Sequence, residues 1–325
     1  MKELIRKSKA IVAALIVNFI IAIMKFVVAI FSGSASMFSE GIHSCADTLN
    51  QIVLLVGKKQ AARPANDRHP FGYARVSFFA SFLVASLLFF VGGAFSLLEA
   101  AEKIGHINDG VLAHDQTSFF IAAGVLVVSI ALEAFSFRTA LKEVREQQEH
   151  DGTSLSLLRF FRETRNSSLI VVLTEDLAAM LGLILALLGV VLTLITGNLI
   201  FDAIGGAAIG VLLIIAAAIL GKETASLIIG EALGADKVAA IRALVEDTPK
   251  VAGCRVIKTV AIGTDSLLVE VDVAFAEDGS VSAEEVLGAI ADIKAGIRAL
   301  LEHEAQFINT CVEPVFPTAA PDFEG

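Results

Sequence analysis

The sequence predicts an α-helical membrane protein in which six transmembrane helices precede a small α+β domain with the order helix-strand-strand-helix-strand. Apolar residues make up 55% of the 325 residues, and the mean hydropathy of +0.75 is higher than soluble globular proteins show. Six apolar stretches have at least the roughly 20 residues that a helix needs to cross a bilayer. The charge is uneven, since residues 223–325 contain 18 Asp and Glu but only 7 Lys and Arg.

The predicted spans cover residues 10–31, 35–57, 77–101, 118–140, 168–195 and 200–221. The first is too long for the apolar core of a signal peptide, and more spans follow it, so we interpret it as a transmembrane helix. Lys and Arg alternate between the connecting segments: four in 1–9, none in 32–34, five in 58–76, one in 102–117, six in 138–167 and none in 196–199. The positive-inside rule then predicts that both termini, and the acidic domain, are cytoplasmic.

The composition changes near residue 223, which predicts a transmembrane domain at 1–222, an α+β domain at 223–316 and a disordered tail at 317–325. Periodicity predicts a helix over 235–248 and strands over 253–262, 266–275 and 306–313. A turn at 263–265 joins the first two strands. Ser282 and Glu285 have the spacing of a capping box, which predicts a helix that runs to about residue 301.

Composition also excludes some functions. An acidic domain lacks the basic surface that nucleic acids require, so no nucleic-acid partner is expected. The three cysteines, Cys45, Cys254 and Cys311, are far apart and form no C-x-x-C pair. Neither a zinc knuckle nor a disulfide framework is therefore indicated.

The second span carries a polar stripe with steps of four and three residues, formed by Ser36, Glu40, His43, Asp47 and Asn50. These steps place the side chains on one helical face, which in lipid must face the bundle interior or a water-filled cavity. Because His43 and Asp47 are one turn apart, their side chains can reach one point and supply half of a four-coordinate metal site. The alternative is a buried hydrogen-bonded pair that fixes helix packing.

The fifth span carries two adjacent acids, Glu175 and Asp176. Adjacent residues point about 100° apart on a helix, so we expect one of them, Asp176, to face the site directly. Ionisable groups are costly inside a bilayer, which makes both acids functional candidates.

Other polar residues in the spans leave alternatives open. Glu40 is either a ligand or solvated, Lys25 is expected to pair with a carboxylate of the second span, and Asp202 is either a charge at a helix N-terminus or part of an access funnel. Helix–helix hydrogen bonding is the expected role of Asn18, Asn50 and Gln51. Small residues favour close helix approach, inside one bundle or across a dimer, at Gly92, Gly93, Gly205, Gly206 and Gly210.

Several segments resemble the cation diffusion facilitator family. Residues 34–51 resemble its second helix, in which His43 and Asp47 form an H-x-x-x-D pair. Residues 69–75 (HPFGYAR) are similar to its cytoplasmic loop motif, and residues 312–314 to its last strand. Residues 173–179 resemble the branch that contains the ninth vertebrate zinc transporter.

The resemblance implies a transporter, not an enzyme, in the plasma (inner) membrane: a homodimer that exports zinc, iron or manganese from the cytoplasm in exchange for protons. The metal is then cargo, no resident cofactor is expected, and the tail domain dimerises and senses metal. His43, Asp47 and Asp176 would be ligands. One ligand position of the family is Val172 here, so Glu175, Thr174 or water is expected to complete the site.

Three rival functions remain open: a proton-coupled exporter of a non-metal cation, a membrane-tethered metal sensor, and an intramembrane hydrolase, for which no H-E-x-x-H or Ser/Lys motif is present. After residue 200 the sequence contains one histidine, His303. Metal sites in the tail would therefore depend on acids such as Asp272, Glu302 and Glu304, for which a solvated surface is the alternative. We interpret the loop with His106, Asp109, His114 and Asp115 as solvated, with weak metal capture.

Overall fold

The computed structural model describes residues 18–108, 116–150, 166–276 and 281–315. Its α-helices are α1 Asn18–Ser32, α2 Ala35–Ala61, α3 Val76–Leu87, α4 Phe95–Asn108, α5 Gln116–His150, α6 Ser167–Thr196, α7 Ile200–Ile229, α8 Ala235–Glu246 and α9 Ala283–Leu300. A π-helical segment, Leu88–Ala94, joins α3 to α4. The strands are β1 Val251–Gly263, β2 Ser266–Phe275 and β3 Phe307–Val315. The start of the first predicted span and the predicted tail at 317–325 lie outside the described residues.

Four described helical segments are long and apolar enough to cross a bilayer: Val76–Ile107, Gln116–Glu146, Ser167–Thr196 and Ile200–Ile229. The protein is therefore a helical membrane protein with a small sheet domain. The described part of α1 is shorter, and α2 has sufficient length but carries the polar stripe. The number of six spans consequently stays a prediction.

The chain packs as two compact units. The described residues of the helical unit lie within Met1–Lys59, Phe79–Glu146 and Ser167–Ala225, and those of the sheet unit lie within Gln60–Phe78, Gln147–Asn166 and Ser226–Gly325.

Inside the helical unit, buried apolar side chains from six elements form the core, among them Met37, Leu88, Phe119, Leu183 and Leu213. Glycines bring neighbouring helices into direct contact. A Cβ atom on Gly206 would lie 3.2 Å from the backbone of Ala35, and one on Gly93 would lie 3.1 Å from the carbonyl oxygen of Gly210. The predicted close approach through small residues therefore occurs within the chain at these positions.

The contact at Gly93 gives a testable prediction. A Cβ atom there would also lie 2.5 Å from the side chain of Ile214, and backbone atoms of α7 cannot move aside cheaply. We expect Gly93→Ala to lower the free energy of unfolding by roughly 1–3 kcal/mol, as overpacking does. Gly124→Ala is the matched control, because nothing lies within 4 Å of the added atom and alanine favours a helix by about 1 kcal/mol. Unfolding in detergent would measure both, and equal stabilities would contradict the prediction.

The sheet unit has the strand order β1-β2-β3, with β1 antiparallel and β3 parallel to β2. Alternate residues of β2 are buried, as the period of two requires. Leu267, Val269, Val271 and Val273 share a core with α8 through Ile241 and Val245 and with α9 through Ile293 and Ile297. This confirms the predicted order of helices and strands, with both helices on one face.

The predicted capping box begins α9. The Ser282 hydroxyl accepts a hydrogen bond from the backbone N–H of Glu285, and the Glu285 carboxylate accepts one from the backbone N–H of Ser282 at 2.8 Å. The bonds from Ser282, followed by the contact with Lys250, lower the pKa of Glu285. The sequence pattern therefore located this helix end correctly.

Residues 66–75 form a compact turn in the sheet unit. The backbones of Asn66 and His69 pair, Asn66 donates to the Tyr73 hydroxyl at 2.9 Å, and the rings of His69 and Tyr73 lie 4.3 Å apart. Gly72 has φ +78°, a conformation that favours glycine. Ala74 packs directly against Gly263 at the end of β1, so the loop motif contacts the β1–β2 hairpin.

Candidate metal centre

The polar stripe of α2 faces the interior of the helical unit, as its spacing predicted. Ser36, Glu40, His43 and Asn50 are all at most 1% exposed, and the Asp47 side chain is 19% exposed. A helix with this many buried polar groups needs partners for each of them, because unpaired polar groups cost several kcal/mol in an apolar environment.

His43 and Asp47 are close but only partly satisfied. Nδ1 of His43 lies 3.5 Å from Oδ1 of Asp47. Among the described residues, neither ring nitrogen of His43 nor Oδ1 of Asp47 has a hydrogen-bond partner. Buried polar atoms nearly always have a hydrogen-bond partner. The unpartnered nitrogens of His43 and Oδ1 of Asp47 are therefore candidate atoms for binding an ion. Imidazole nitrogen and carboxylate oxygen are the atoms that first-row divalent metals bind.

A cavity of about 150 Å³ lies beside this pair and is lined by acids from three helices. Asp47 lines it from α2, Glu133 from α5, and Glu175 and Asp176 from α6. The sequence predicted that one of the two adjacent acids would face the site, whereas both line the cavity. The cavity therefore brings four carboxyl groups together inside the helical unit.

The two adjacent acids have different neighbours. Glu175 accepts a hydrogen bond from the side-chain amide of Asn50, while Asp176 accepts one from the Ser136 hydroxyl at 3.1 Å. The helix–helix hydrogen bond predicted for Asn50 is thus present, between α2 and α6. Asn18 and Gln51, for which the same role was predicted, line the cavity.

The side-chain atoms that could bind a metal ion at this cavity do not all lie close to one point. Within the described part of the chain, the one group of three possible ligands with donor atoms within 4.8 Å of one another is Glu270, Asp272 and Glu313, on the sheet unit. His43 is not among the residues that line the cavity and is connected to it through Asp47. Metal–ligand bonds of about 2.0–2.3 Å therefore require the acidic side chains to rotate towards an ion.

Glu133 was missed by the sequence analysis. It is an acid inside the apolar stretch 118–140, and that isolation was the available signal. Its place on the cavity wall makes it a candidate ligand together with the four predicted residues.

Glu40 differs from both expectations, because it is neither solvated nor on the cavity wall. Its Oε2 accepts a hydrogen bond from Lys25 at 3.0 Å, and Lys25 also donates to Ser44 at 2.8 Å. Lys25 is 2% exposed and Glu40 is 0% exposed. The predicted pairing of Lys25 with a carboxylate of the second span is confirmed, and it joins α1 to α2 next to His43.

Asp202 caps α2 rather than lining an access funnel. It is fully buried, and it accepts hydrogen bonds from the backbone N–H of Ala35 at 2.7 Å and from the Ser34 hydroxyl at 2.6 Å. Lys103 lies 2.7 Å from its carboxylate. Asp202 lies in the first turn of α7, so the predicted charge at that helix N-terminus is present, and its carboxylate also caps the N-terminus of α2.

In the sheet unit, Asp272 belongs to the acidic group described above, and Glu313 faces it across the β2–β3 pair. Glu302 lies 3.5 Å from His303, and Glu304 pairs with Lys237 at 2.9 Å. His106 is exposed at the end of α4, whereas Asp109, His114 and Asp115 lie outside the described residues. Acidic groups at a protein surface are common without a metal, so we assign no metal site to these residues.

The chain is similar in sequence to several proteins that have been described. It is 32% identical over 274 residues to the proton-coupled zinc antiporter SLC30A9, mitochondrial, of Xenopus laevis, covering 84% of this chain and 47% of that protein. It is 28% identical over 226 residues to metal tolerance protein C4 of Arabidopsis thaliana, covering 70% and 48%. It is 32% identical over 114 residues to the magnetosome protein MamB of Magnetospira sp. strain QH-2, covering 35% and 36%. The aligned region spans about half the length of the first two relatives.

The family model of the cation efflux transmembrane domain matches residues 11–229, which is more than half of the chain. The match includes α2, α5 and α6, which carry the acidic cavity. It confirms the resemblance found in the second helix and the loop before the third. The protein therefore belongs to the cation efflux family of membrane transporters.

Proposed function

We propose that this protein moves a divalent metal cation of the zinc, iron or manganese class out of the cytoplasm in exchange for protons. The observation that carries the proposal is the His43–Asp47 pair. Both ring nitrogens of His43 and Oδ1 of Asp47 have no hydrogen-bond partner among the described residues, and Asp47 lines the acidic cavity. The description of related proteins as proton-coupled zinc antiporters supports the same function.

In the proposed mechanism, His43, Asp47 and Asp176 bind the ion, and Glu175 contributes once it leaves Asn50. Metal ligands must be deprotonated, so protons and metal compete for the same atoms. An ion that enters from the cytoplasm is held while these groups are deprotonated and is released when protons arrive from the other side. Alternate occupancy of one site by metal or protons, coupled to two conformations, is the physical basis of exchange.

The topology, the membrane and the oligomeric state of the protein are also part of the proposal. We infer six spans with both termini in the cytoplasm, from the alternation of Lys and Arg between the connecting segments, and a position in the plasma (inner) membrane. The protein would act as a homodimer, with the α+β domain contributing to dimerisation and regulation. The metal is substrate, and no resident cofactor is required by this mechanism.

The test is metal flux into proteoliposomes with an imposed pH gradient, comparing zinc, manganese, iron(II) and cobalt. We expect gradient-dependent flux of at least one metal, and a decrease of tenfold or more in Asp47→Asn and Asp176→Asn, because each substitution removes a charged ligand. Glu99→Gln is the control, since Glu99 is a partly buried acid of α4 that does not line the cavity.

Each rival function has its own outcome in this experiment. Metal binding without flux would indicate a membrane-tethered metal sensor. Proton-coupled flux of an organic cation without metal binding would indicate a proton-coupled exporter of a non-metal cation. Flux that survives both substitutions would show that the ion binds elsewhere.

A further inference from the structure

Glu133 occupies a place on the cavity wall that the established pattern of the family does not explain. It lies on α5, between apolar residues, and lines the cavity together with Asp47, Glu175 and Asp176. An ionisable group in an apolar membrane helix is costly to insert. A function at the cavity is the direct explanation for its presence.

On α6, the position at which the family resemblance implies a further metal ligand is occupied by Val172. Val172 lies one turn before Asp176 on α6 and lines the same cavity, but its side chain has no atom that can bind a metal. A site built from His43, Asp47 and Asp176 alone therefore lacks a fourth protein ligand, the number that tetrahedral sites use.

α5 is held close to Asp176 by a direct contact. The Ser136 hydroxyl donates to Oδ2 of Asp176 at 3.1 Å. Glu133 precedes Ser136 by three residues, so the two side chains lie on the same face of α5. The hydrogen bond thus brings the face that carries Glu133 towards the ligand on α6.

The acids that line the cavity differ in their hydrogen-bond partners. Asn50 donates to Glu175 and Ser136 donates to Asp176. Glu133 lines the same cavity, and the Asn50 amide and the Ser136 hydroxyl donate to its neighbours instead. His43, at 1% exposed and without a hydrogen-bond partner in the described chain, lies beside Asp47 and is connected to the cavity through it. An unpartnered imidazole next to a cavity lined by carboxyl groups supplies atoms that a cation would join.

We propose that Glu133 is a ligand of the transported ion and replaces, from α5, the ligand that is missing at Val172. This inference rests on the proposed function. With His43, Asp47 and Asp176, Glu133 gives one imidazole and three carboxylates, and Glu175 adds a fourth carboxylate once it leaves Asn50. Hard oxygen ligands of this kind suit manganese and iron(II) as well as zinc. Glu133 is therefore also a determinant of which metals the site accepts.

The experiment is isothermal titration of the purified full chain in detergent with zinc and with manganese. We expect Glu133→Gln to weaken binding of both metals by about 10–100-fold, the size of effect seen when groups around a metal are altered. Glu133→Asp keeps the charge on a shorter side chain, and we expect a smaller loss. Glu99→Gln, outside the cavity, should bind as the wild type does, and size-exclusion profiles verify that each variant is folded.

A second variant separates a ligand from a residue that only supports the fold. We expect Val172→His in the Glu133→Gln background to restore zinc binding at least tenfold while restoring manganese much less, because imidazole favours zinc. Val172→His in the wild-type background is the comparison, because a histidine there adds a zinc ligand whatever Glu133 does. If Glu133 is a ligand, we expect a smaller gain in zinc affinity in the wild type, and equal gains in both backgrounds would contradict this role.

The outcomes distinguish the two proposals. Wild-type affinity in Glu133→Gln, together with loss of binding in Asp47→Asn, would overturn the role of Glu133 and leave the proposed function standing. Absence of metal binding in the wild type itself would overturn both.

Discussion

Replacing Lys25 with methionine is expected to lower the free energy of unfolding of the helical unit by about 3–5 kcal/mol, the usual cost of breaking a buried ion pair from one side. The substitution keeps an unbranched side chain of similar length but leaves Glu40, which is fully buried, without its cation. Ser44 loses its contact with Lys25 as well. Glu40 cannot turn away easily, because its Oε1 packs against Gly182, where a Cβ atom would lie 2.8 Å away.

The measurement is unfolding of the purified protein in mixed micelles with increasing dodecyl sulfate, followed by circular dichroism. The double variant Lys25→Met/Glu40→Met is the control, because it removes both charges and fills the space with apolar atoms. Replacing a whole buried ion pair is often neutral or stabilising, so we expect it to recover most of the lost stability. A Lys25→Met protein as stable as the wild type would show that the pair does not hold α1 to α2.

The position of Lys25 explains why the sequence could predict its partner only in general terms. A lysine in an apolar span must find a carboxylate, and the second span offered Glu40 and Asp47. Periodicity places both acids on one face, but it does not give the height of α1 relative to α2. That offset, which the packing of the bundle decides, selects Glu40 and leaves Asp47 for the cavity.

Sequence periodicity predicts contacts within one helix but not the relative placement of two helices. This explains which residues of the site were predicted and which were missed. The spacing of His43 and Asp47 is local to one helix, so the sequence predicts their proximity directly. Glu133 has no partner on its own helix that would indicate a site. Its role depends on α5 lying next to α6, which is a tertiary contact that the Ser136–Asp176 hydrogen bond records.

The sheet unit was the more predictable part of the fold, because its signals are local. Alternation in β2 and the capping box at Ser282 specify elements without reference to distant residues. The turn at 263–265 also predicted the β1–β2 hairpin, but the pairing of β3 was not predictable in the same way. β3 joins β2 in parallel over residues 266–274 and 307–315, and α9 forms the connection between them.

Asp202→Ala is expected to be at least as destabilising as the change at Lys25, because Asp202 has more partners. Its carboxylate accepts bonds from the backbone of Ala35 and from Ser34, and it pairs with Lys103. Loss of a helix cap costs about 1 kcal/mol, and an unpaired buried Lys103 adds roughly 3–5 kcal/mol. We expect a combined loss of at least 4 kcal/mol in the same dodecyl sulfate unfolding experiment.

Asp202→Asn separates the two contributions. The amide oxygen can still accept from the backbone N–H of Ala35, whereas Lys103 loses its counter-charge, so most of the destabilisation should remain. Adding Lys103→Met to Asp202→Asn removes the orphaned cation and should recover stability. If Asp202 instead served ion entry, Asp202→Asn would unfold like the wild type but reduce metal flux in proteoliposomes. That result would contradict the assignment of Asp202 as the cap of α2, because a buried cap acts through stability before it acts on flux.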